Sequence, residues 1–579
     1  MRQLLSIFFL LVSSTYIFCQ DPILTYEIDS VFITDNSNLT KIKIPEFVKT
    51  GRLTLANYLS NYSSAYVHTS GPGLLSTIRI DGLEARHTSL NVLGINLNSP
   101  VNGVKDLNLI NGILLNNLSI GNKSLSGGGS VNGWELYSSY NTIQNGHIDL
   151  NYTNNKAKLE YTASFAIDYN LNKFPYNLGA NKAQRENSKF VNYTYSEKYK
   201  FIGKKSITEL ILYVQDSDRD ISNSISSSYD GASQKDNNVN LISRHTRNLK
   251  RGTLELSGGY LFEKIDFSSF VVDTSVSKNN AFVLNTEWKK NYIKNTISLK
   301  LSNRFDRTNA SFFTKKIDRL EQSLLLGIEN YSISQLSLSA SVMPRLLNTS
   351  DVFLDYKIKA KYDWNNIAIY GLYTQKNYLP TFNDLYWPTG GNENLQNELV
   401  KTFKIGLQYD ISESVNVALS SFQSSGENWI LWQPNNQGIW SPENINQVRN
   451  QGIDLSLSVK NIFKKYAIAA GLSYLDSRNT ITDKTLIYRP HLKSFATLSY
   501  TSNRFQFSYN NSYTSRRFIT SDNALQVEAY MLHNLSVEYS LSKFRFYLNV
   551  ENLLNESYEV VPFFPMPLRN ATFAASIKI

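Results

Sequence analysis

From about Tyr140 to its C-terminus this chain alternates apolar and polar residues in one short run after another, and few folds accept that pattern over such a length. Thr253 to Ser257, Thr296 to Leu301, Gln335 to Val342, Val415 to Phe422, Gly452 to Val459 and Arg545 to Val550 all show it for most of their extent. Period two describes a strand with two unlike faces. Turn-forming residues separate the runs, as at Asn154-Asn155, Asp216 to Asp220 and Ser502-Asn503. No stretch reaches 18 consecutive apolar residues, so no transmembrane helix is expected; a closed barrel crosses a bilayer with strands of about 9 to 11 residues instead. The repetitive region is long enough for 22 strands of about 10 residues with connections of similar length. A barrel of that width has an open lumen unless another element fills it.

Composition fits a membrane barrel. Aromatic residues make up 13% of the 579, with 36 Tyr and 30 Phe against 4 Met and 1 Cys. Such amphipathic rings suit strands at an interface. The formal charge of +10 is scattered rather than gathered into a basic helix, so no nucleic-acid partner is expected. Residues 1–19 have Arg2, an apolar core from Leu4 to Val12 and a polar stretch before Cys19, the layout of a secretory signal. Cleavage after Cys19 or Gln20 leaves a mature chain without cysteine, hence without disulfide or thiol chemistry.

Ahead of the strands, Gly71 to Gly133 combines short aliphatic runs with closely spaced Gly, Asn and Pro, and reads as a small mixed unit. Catalysis finds no support. None of the six His (His68, His87, His147, His245, His491, His533) stands in a metal-binding spacing. Gly127-Gly128-Gly129-Ser130 is neither a nucleophile elbow nor a phosphate loop. His87, between Arg86 and Thr88, is either a packed structural residue or a site contributor.

Four separated stretches carry a resemblance. Leu55 to Gly133 contains LANYLSNYSSAYVHTSGPGLLSTIRIDGLEARHTSL, GINLNSP, DLNLI and GNKSLSGGGSVNG. NKFPY at Asn172 to Tyr176 precedes Arg185 to Asn187; FNDLYWPTGGNENLQNE spans Phe382 to Glu398, with NWILWQPNNQGIWSPENINQVRNQGID at Asn428 to Asp454; and ENLLNESYEVVPFFPMPLRN spans Glu551 to Asn570. Together they resemble the TonB-dependent outer-membrane receptors, most closely the cobalamin-receptor-like group.

The resemblance implies a transmembrane β-barrel of 22 antiparallel strands, its lumen closed by an N-terminal mixed α/β plug domain, in the outer membrane of a Gram-negative bacterium. The divisions expected are a signal peptide at 1–19, a periplasmic segment at 20–40, the plug at 41–137 and the barrel at 138–579. Asp29, Ser30, Val31, Phe32 and Ile33 resemble the coupling box, which a partner protein grips by strand addition. That partner would be TonB with its inner-membrane energising complex. Outer-membrane lipids, a monomeric barrel and a surface or periplasmic binding protein complete the expected surroundings.

Ligand contacts in such receptors come from plug apices and barrel loops. Here the outward-facing candidates are Ser70, Pro72, Asn98, Ser99, Asn102 and Asp106 on the plug, and Trp387, Asn392 and Trp440 on the barrel. Trp429 and Trp432 read as girdle residues at the lipid interface, with ligand stacking as the competing role. No covalently bound cofactor and no metal site are expected; the transported ligand implied is cobalamin or a related corrinoid, then a ferric siderophore or haem.

Asp81 stands where the family usually has Arg, Leu93 where it has Asp or Asn, and Leu568 where it has Gly. The first reverses a charge in the plug, for which Arg79 is one candidate compensation. These departures keep a rival open, a surface-binding or receptor-complex protein on the same scaffold that does not transport. A passive porin and a soluble β protein are the remaining rivals. In the closing strand, Phe573, Ala575, Ile577 and Ile579 share one face, with Thr572, Ser576 and Lys578 on the other.

Overall fold

The computed structural model describes residues 42–43, 54–110, 118–120, 123–126 and 132–579, apart from 180, 227–230, 270–273, 389, 435–439 and 446. The expected signal segment at 1–19, the stretch Asp29 to Ile33 expected as the coupling box, and the Gly127 to Ser130 run lie outside the described residues.

Twenty-two antiparallel strands form a closed barrel, and a two-residue strand, Lys484–Thr485, extends the pairing at its rim. Each strand pairs with its neighbours in sequence, so every connection is a hairpin. The first, Gly133–Asn141, pairs with the last, Asn570–Lys578, through Phe573↔Tyr140 and Ile577↔Leu136. Ile579 fastens the seam: its N–H donates to the Trp134 carbonyl at 2.9 Å and its carbonyl accepts from Trp134 at 3.1 Å. Closure leaves no unpaired strand edge.

One end of the barrel carries short turns, such as 157–158 and 542–543; the other carries long connections, such as 379–397 and 552–569. Strands run from 8 residues (Phe544–Glu551) to 18 (Ala232–Leu249), so the wall is taller on one side. Asp216 to Asp220, expected in a turn, belongs to strand Ser206–Ile221. The cause is alternation carried past the apolar band: Ser217 and Arg219 point inward and are buried, while Asp218 stays in water with Lys235 at 3.3 Å.

The two faces follow the sequence. Phe282 and Leu284 point out, 55% and 50% exposed, while Ala281, next to Phe282 on the strand, is fully buried. In the closing strand Phe573 is 61% exposed and Ser576 3%. Near the short-turn end, aromatic rings contact one another across adjacent strands, Trp134 with Tyr152 (4.7 Å), Tyr152 with Tyr161 (6.0 Å) and Tyr161 with Tyr199 (4.7 Å). A girdle at the lipid boundary has this form.

The N-terminal unit sits in the lumen. Helix Leu55–Tyr62, capped by the Thr54 side chain, leads into the hairpin Tyr66–Thr69/Ser76–Arg79. Leu90–Val92 and Ile95–Asn96 join Ile42–Lys43, Leu118–Ile120 and Lys123–Ser126 in a five-stranded sheet. Leu55, Leu59, Val92, Leu93, Ile95 and Leu107 bury themselves against the wall residues Ile211, Tyr213, Ile242, Leu261 and Ala281. Burial of one such side chain is worth about 1.5–3 kcal/mol. In this sector the wall itself becomes apolar, which sets the orientation of the plug.

Candidate functional site

Opposite faces of the plug meet the wall through different chemistry. On one, charges are buried in pairs. Ala85–His87 forms a single 3-10 turn, which delivers Arg86 and His87 together. Arg86 Nη2 is 2.8 Å from Glu398 Oε1 and also donates to the Ile430 carbonyl, while Nη1 lies 3.6 Å from Asp384 Oδ2. Burial alone would lower the Arg86 pKa, but Glu398 and then Asp384 raise it further, so the charge persists.

His87 Nδ1 accepts from the Glu84 N–H at 3.2 Å and Nε2 lies 2.8 Å from Glu398 Oε2. With Nδ1 accepting, the proton sits on Nε2 and is donated to the carboxylate. Tyr378 (4.2 Å) and Trp429 (4.7 Å) close over the ring. His87 therefore acts as a packed structural residue. Trp429 and Trp432, expected at the girdle, stand in the lumen: Trp429 is 0% exposed beside His87, and Trp432 Nε1 donates to Asp384 Oδ1 at 2.8 Å. A position on the hairpin Trp429–Pro434/Trp440–Ile445, folded inward over the plug, explains the difference.

Asp81 belongs to the same face. Its partner is the wall residue Lys404, at 3.0 Å, with Asp454 at 3.6 Å from the same ammonium. Arg79 is instead engaged with Glu84 (3.4 Å) and the Tyr488 carbonyl (3.1 Å). Asp81 and Gly82, at φ 53° and 75°, turn the chain, and a Cβ on Gly82 would meet Asn450 at 2.7 Å. Leu93 also has positive φ, 47°, a conformation that disfavours a branched side chain by about 1–2 kcal/mol. It is 3% exposed in the main core, and that burial offsets the strain.

The loop after this face is largely buried. Asn98, Ser99 and Asp106 are buried, unlike the outward placement expected from sequence. Asn98 accepts from Leu90 N–H and donates to the Thr88 and Gly103 carbonyls. Ser99 donates to Glu263, and Asp106 pairs with Arg219 at 2.7 Å while accepting from Ser76 N–H. Asn98 turns onto nearby plug backbone while Ser99 and Asp106 reach wall residues distant in sequence, partnerships that a turn-rich stretch does not reveal, which accounts for the discrepancy. Asn102 alone of this group is exposed. Over it lies helix Phe382–Tyr386, whose first N–H groups donate to the Pro100 and Val101 carbonyls at 2.9 Å.

Trp387 packs on Phe312 (4.9 Å), and Asn392 donates to the Pro442 carbonyl (3.2 Å). Trp440 opens strand Trp440–Ile445; its side chain lies outside the described residues. Sequence reading passed over Asp384 and Glu398, although both fall in the quoted Phe382 to Glu398 stretch. Thr381 and Asp384 form a capping box, a pattern visible as T-x-x-D.

The second face is uncharged for most of its area. Helix Leu55–Tyr62 and the loop at Gly71 to Gly73 are separated from the wall by a cavity of about 1140 Å³, counting its open mouth, and ten asparagines line it. Pro72 borders it and Ser70 is half-buried beside it. The Pro72 carbonyl accepts from Asn172 (3.2 Å), which in turn accepts from Asn145 (2.7 Å). Gly73, at φ 76°, is required here because a Cβ would meet Phe190 at 2.8 Å. Asn57 is exposed on this lining, and its backbone N–H donates to Thr54 Oγ1 at 3.2 Å. Amides offer donors and acceptors without charge, the complement of a polar, largely neutral solute. Among the described residues no group of three or more His, Cys, Asp or Glu is placed to hold a metal ion.

Comparison with known proteins fits this architecture. A stretch of 182 residues is 29% identical to the vitamin B12 transporter BtuB of Vibrio vulnificus, covering 31% of this chain and 29% of that protein. Another, of 164 residues, is 29% identical to the vitamin B12 transporter BtuB of Photobacterium profundum, covering 28% and 27%. The alignments thus span under a third of these relatives. The FrpB iron transporter of Neisseria meningitidis (F3-3 variant) superposes with a TM-score of 0.77 over 93% of this chain and 98% of that one, at 11% identity. The siderophore receptor PirA of Acinetobacter baumannii superposes with a TM-score of 0.74, covering 91% and 96%, at 13% identity. Residues 96–553 match the family model "TonB dependent receptor-like, beta-barrel", and the chain belongs to that family.

Proposed function

We propose that this chain is an outer-membrane importer of a large, scarce, polar solute, cobalamin or another corrinoid first and a ferric siderophore or haem second. The observation that carries the reading is the plug held inside a closed barrel with an asparagine-lined cavity at its side. The named relatives, vitamin B12 transporters, support the order of ligands.

In this reading the solute enters from the long-loop end, which faces outward in barrels of this kind. TonB, energised from the inner membrane, grips Asp29 to Ile33 and pulls on the plug. Pulling releases the solute only if the two plug states differ in affinity for it. The rival, binding without transport, drew its motive from Asp81, Leu93 and Leu568. Lys404 opposite Asp81 supplies the missing charge complement and favours transport.

Growth of a strain lacking the gene, with cyanocobalamin as the limiting nutrient, tests the reading together with binding of cyanocobalamin to the purified protein. Lost growth and saturable binding are expected. Normal growth on cyanocobalamin with failure on a ferric chelate moves the assignment to the second ligand class. Saturable binding with normal growth on every source favours the rival.

A further inference from the structure

Away from the Glu398 contacts, buried cations gather on the plug–barrel seam. Arg79, Arg489 and Lys493 line one pocket with Tyr66, of about 540 Å³ counting its open mouth. Arg517 lies beyond Tyr66, its guanidinium 5.9 Å from the ring. Arg489, Lys493 and Arg517 are 2%, 4% and 1% exposed.

Carboxylates are too few for them. Glu84 is shared by Arg489 (2.6 Å) and Arg79 (3.4 Å). Asp81 and Asp454, also on the lining, face Lys404. Lys493 donates to the Ser60 carbonyl at 2.8 Å and Arg517 to the carbonyls of Glu559 and Val560. Five cations thus face three carboxylates. Hydrogen-bond donors are also left over: among the described residues, Arg489 Nε and Nη1 and Tyr66 Oη are buried with no partner. A buried charge without compensation costs several kcal/mol, and buried donors are normally bonded. One bound oxyanion removes both defects, since its oxygens accept from the free donors while its charge balances the cations.

We propose that this pocket binds an oxyanion at the plug–barrel seam, either a free phosphate-sized ion or the phosphate or carboxylate end of an imported solute. The inference goes beyond the import reading and stands whatever the solute. A bound anion ties Arg79 of the plug to Arg489 and Lys493 of the barrel, and so strengthens the closed state.

The test uses the full-length protein purified in neutral detergent, in a low-salt buffer free of phosphate and sulfate. Inorganic phosphate is titrated in while Tm is followed. A saturable rise in Tm is expected, with affinity at least tenfold weaker in Arg489→Gln and in Lys493→Gln and unchanged in Lys484→Gln, a control on an exposed residue of the short rim strand. Arg489→Gln also frees Glu84, so Tyr66→Phe serves as a gentler variant: it keeps the ring, migrates as a folded barrel on unheated gels and binds phosphate severalfold more weakly. No saturable rise in the unaltered protein, or an equal rise in every variant, overturns the proposal. Phenyl phosphate separates the two sources: it binds where the pocket takes the anionic end of a larger solute and fails where the pocket takes the free ion alone.

Discussion

The two faces of the plug are held by opposite means. Around Arg86 and His87, ionised groups are removed from water and paired with Glu398 and Asp384 of the wall, so parting them leaves bare charges. Around Asn57 and Pro72, amides face a cavity, where a lost hydrogen bond can be replaced by one to water. The first face can be latched or open with little between. The second can exchange partners one at a time. In the proposed import reading, a receptor that must hold its plug yet take up and release a solute needs both, and the ion pairs and the amides would divide those tasks.

Glu398→Gln should have the largest effect. It leaves Arg86 and His87 without their shared carboxylate, and plug docking weakens by about 3–5 kcal/mol. Hydrogen exchange in Ser76–Arg79 checks it, with the barrel strands unchanged. Asp81→Arg comes next, setting a cation against Lys404. A double-mutant cycle with Lys404→Glu should return a coupling of about 2 kcal/mol.

A pH effect of intermediate size comes from His68. Burial, then Arg79, hold its pKa down to about 3 from 6.5. Below pH 6.5 the unfolded chain binds a proton that the folded one refuses, so stability rises with pH in that window. Plug docking is therefore full above pH 6.5 and weakens as pH falls toward 3. His68→Gln should flatten the exchange-versus-pH curve over that range. The smallest effect is expected on the amide face: Asn57→Ala should weaken solute binding about three- to tenfold through one lost hydrogen bond, with Tm unchanged.

The barrel was legible because alternation is a local property. The Phe573 and Ser576 faces read directly from residue type, and the closing strand behaves as expected. Partnerships across the lumen were not legible. Nothing near Asp81 in sequence points to Lys404, 323 positions away, nor does Arg86 point to Glu398. The apical candidates divide for a related reason. Asn98 and Pro72 read alike as outward-facing turn residues, yet one turns its amide onto its own backbone and the other borders a cavity. Only packing separates them.

Energised import through a plug that can be pulled is the central claim, and deletion of Asp29 to Ile33 tests it most directly. Solute uptake and surface binding would be measured side by side in cells carrying the deletion. The account predicts that uptake is abolished while binding at the cell surface is retained. Uptake equal to that of the intact protein would contradict it.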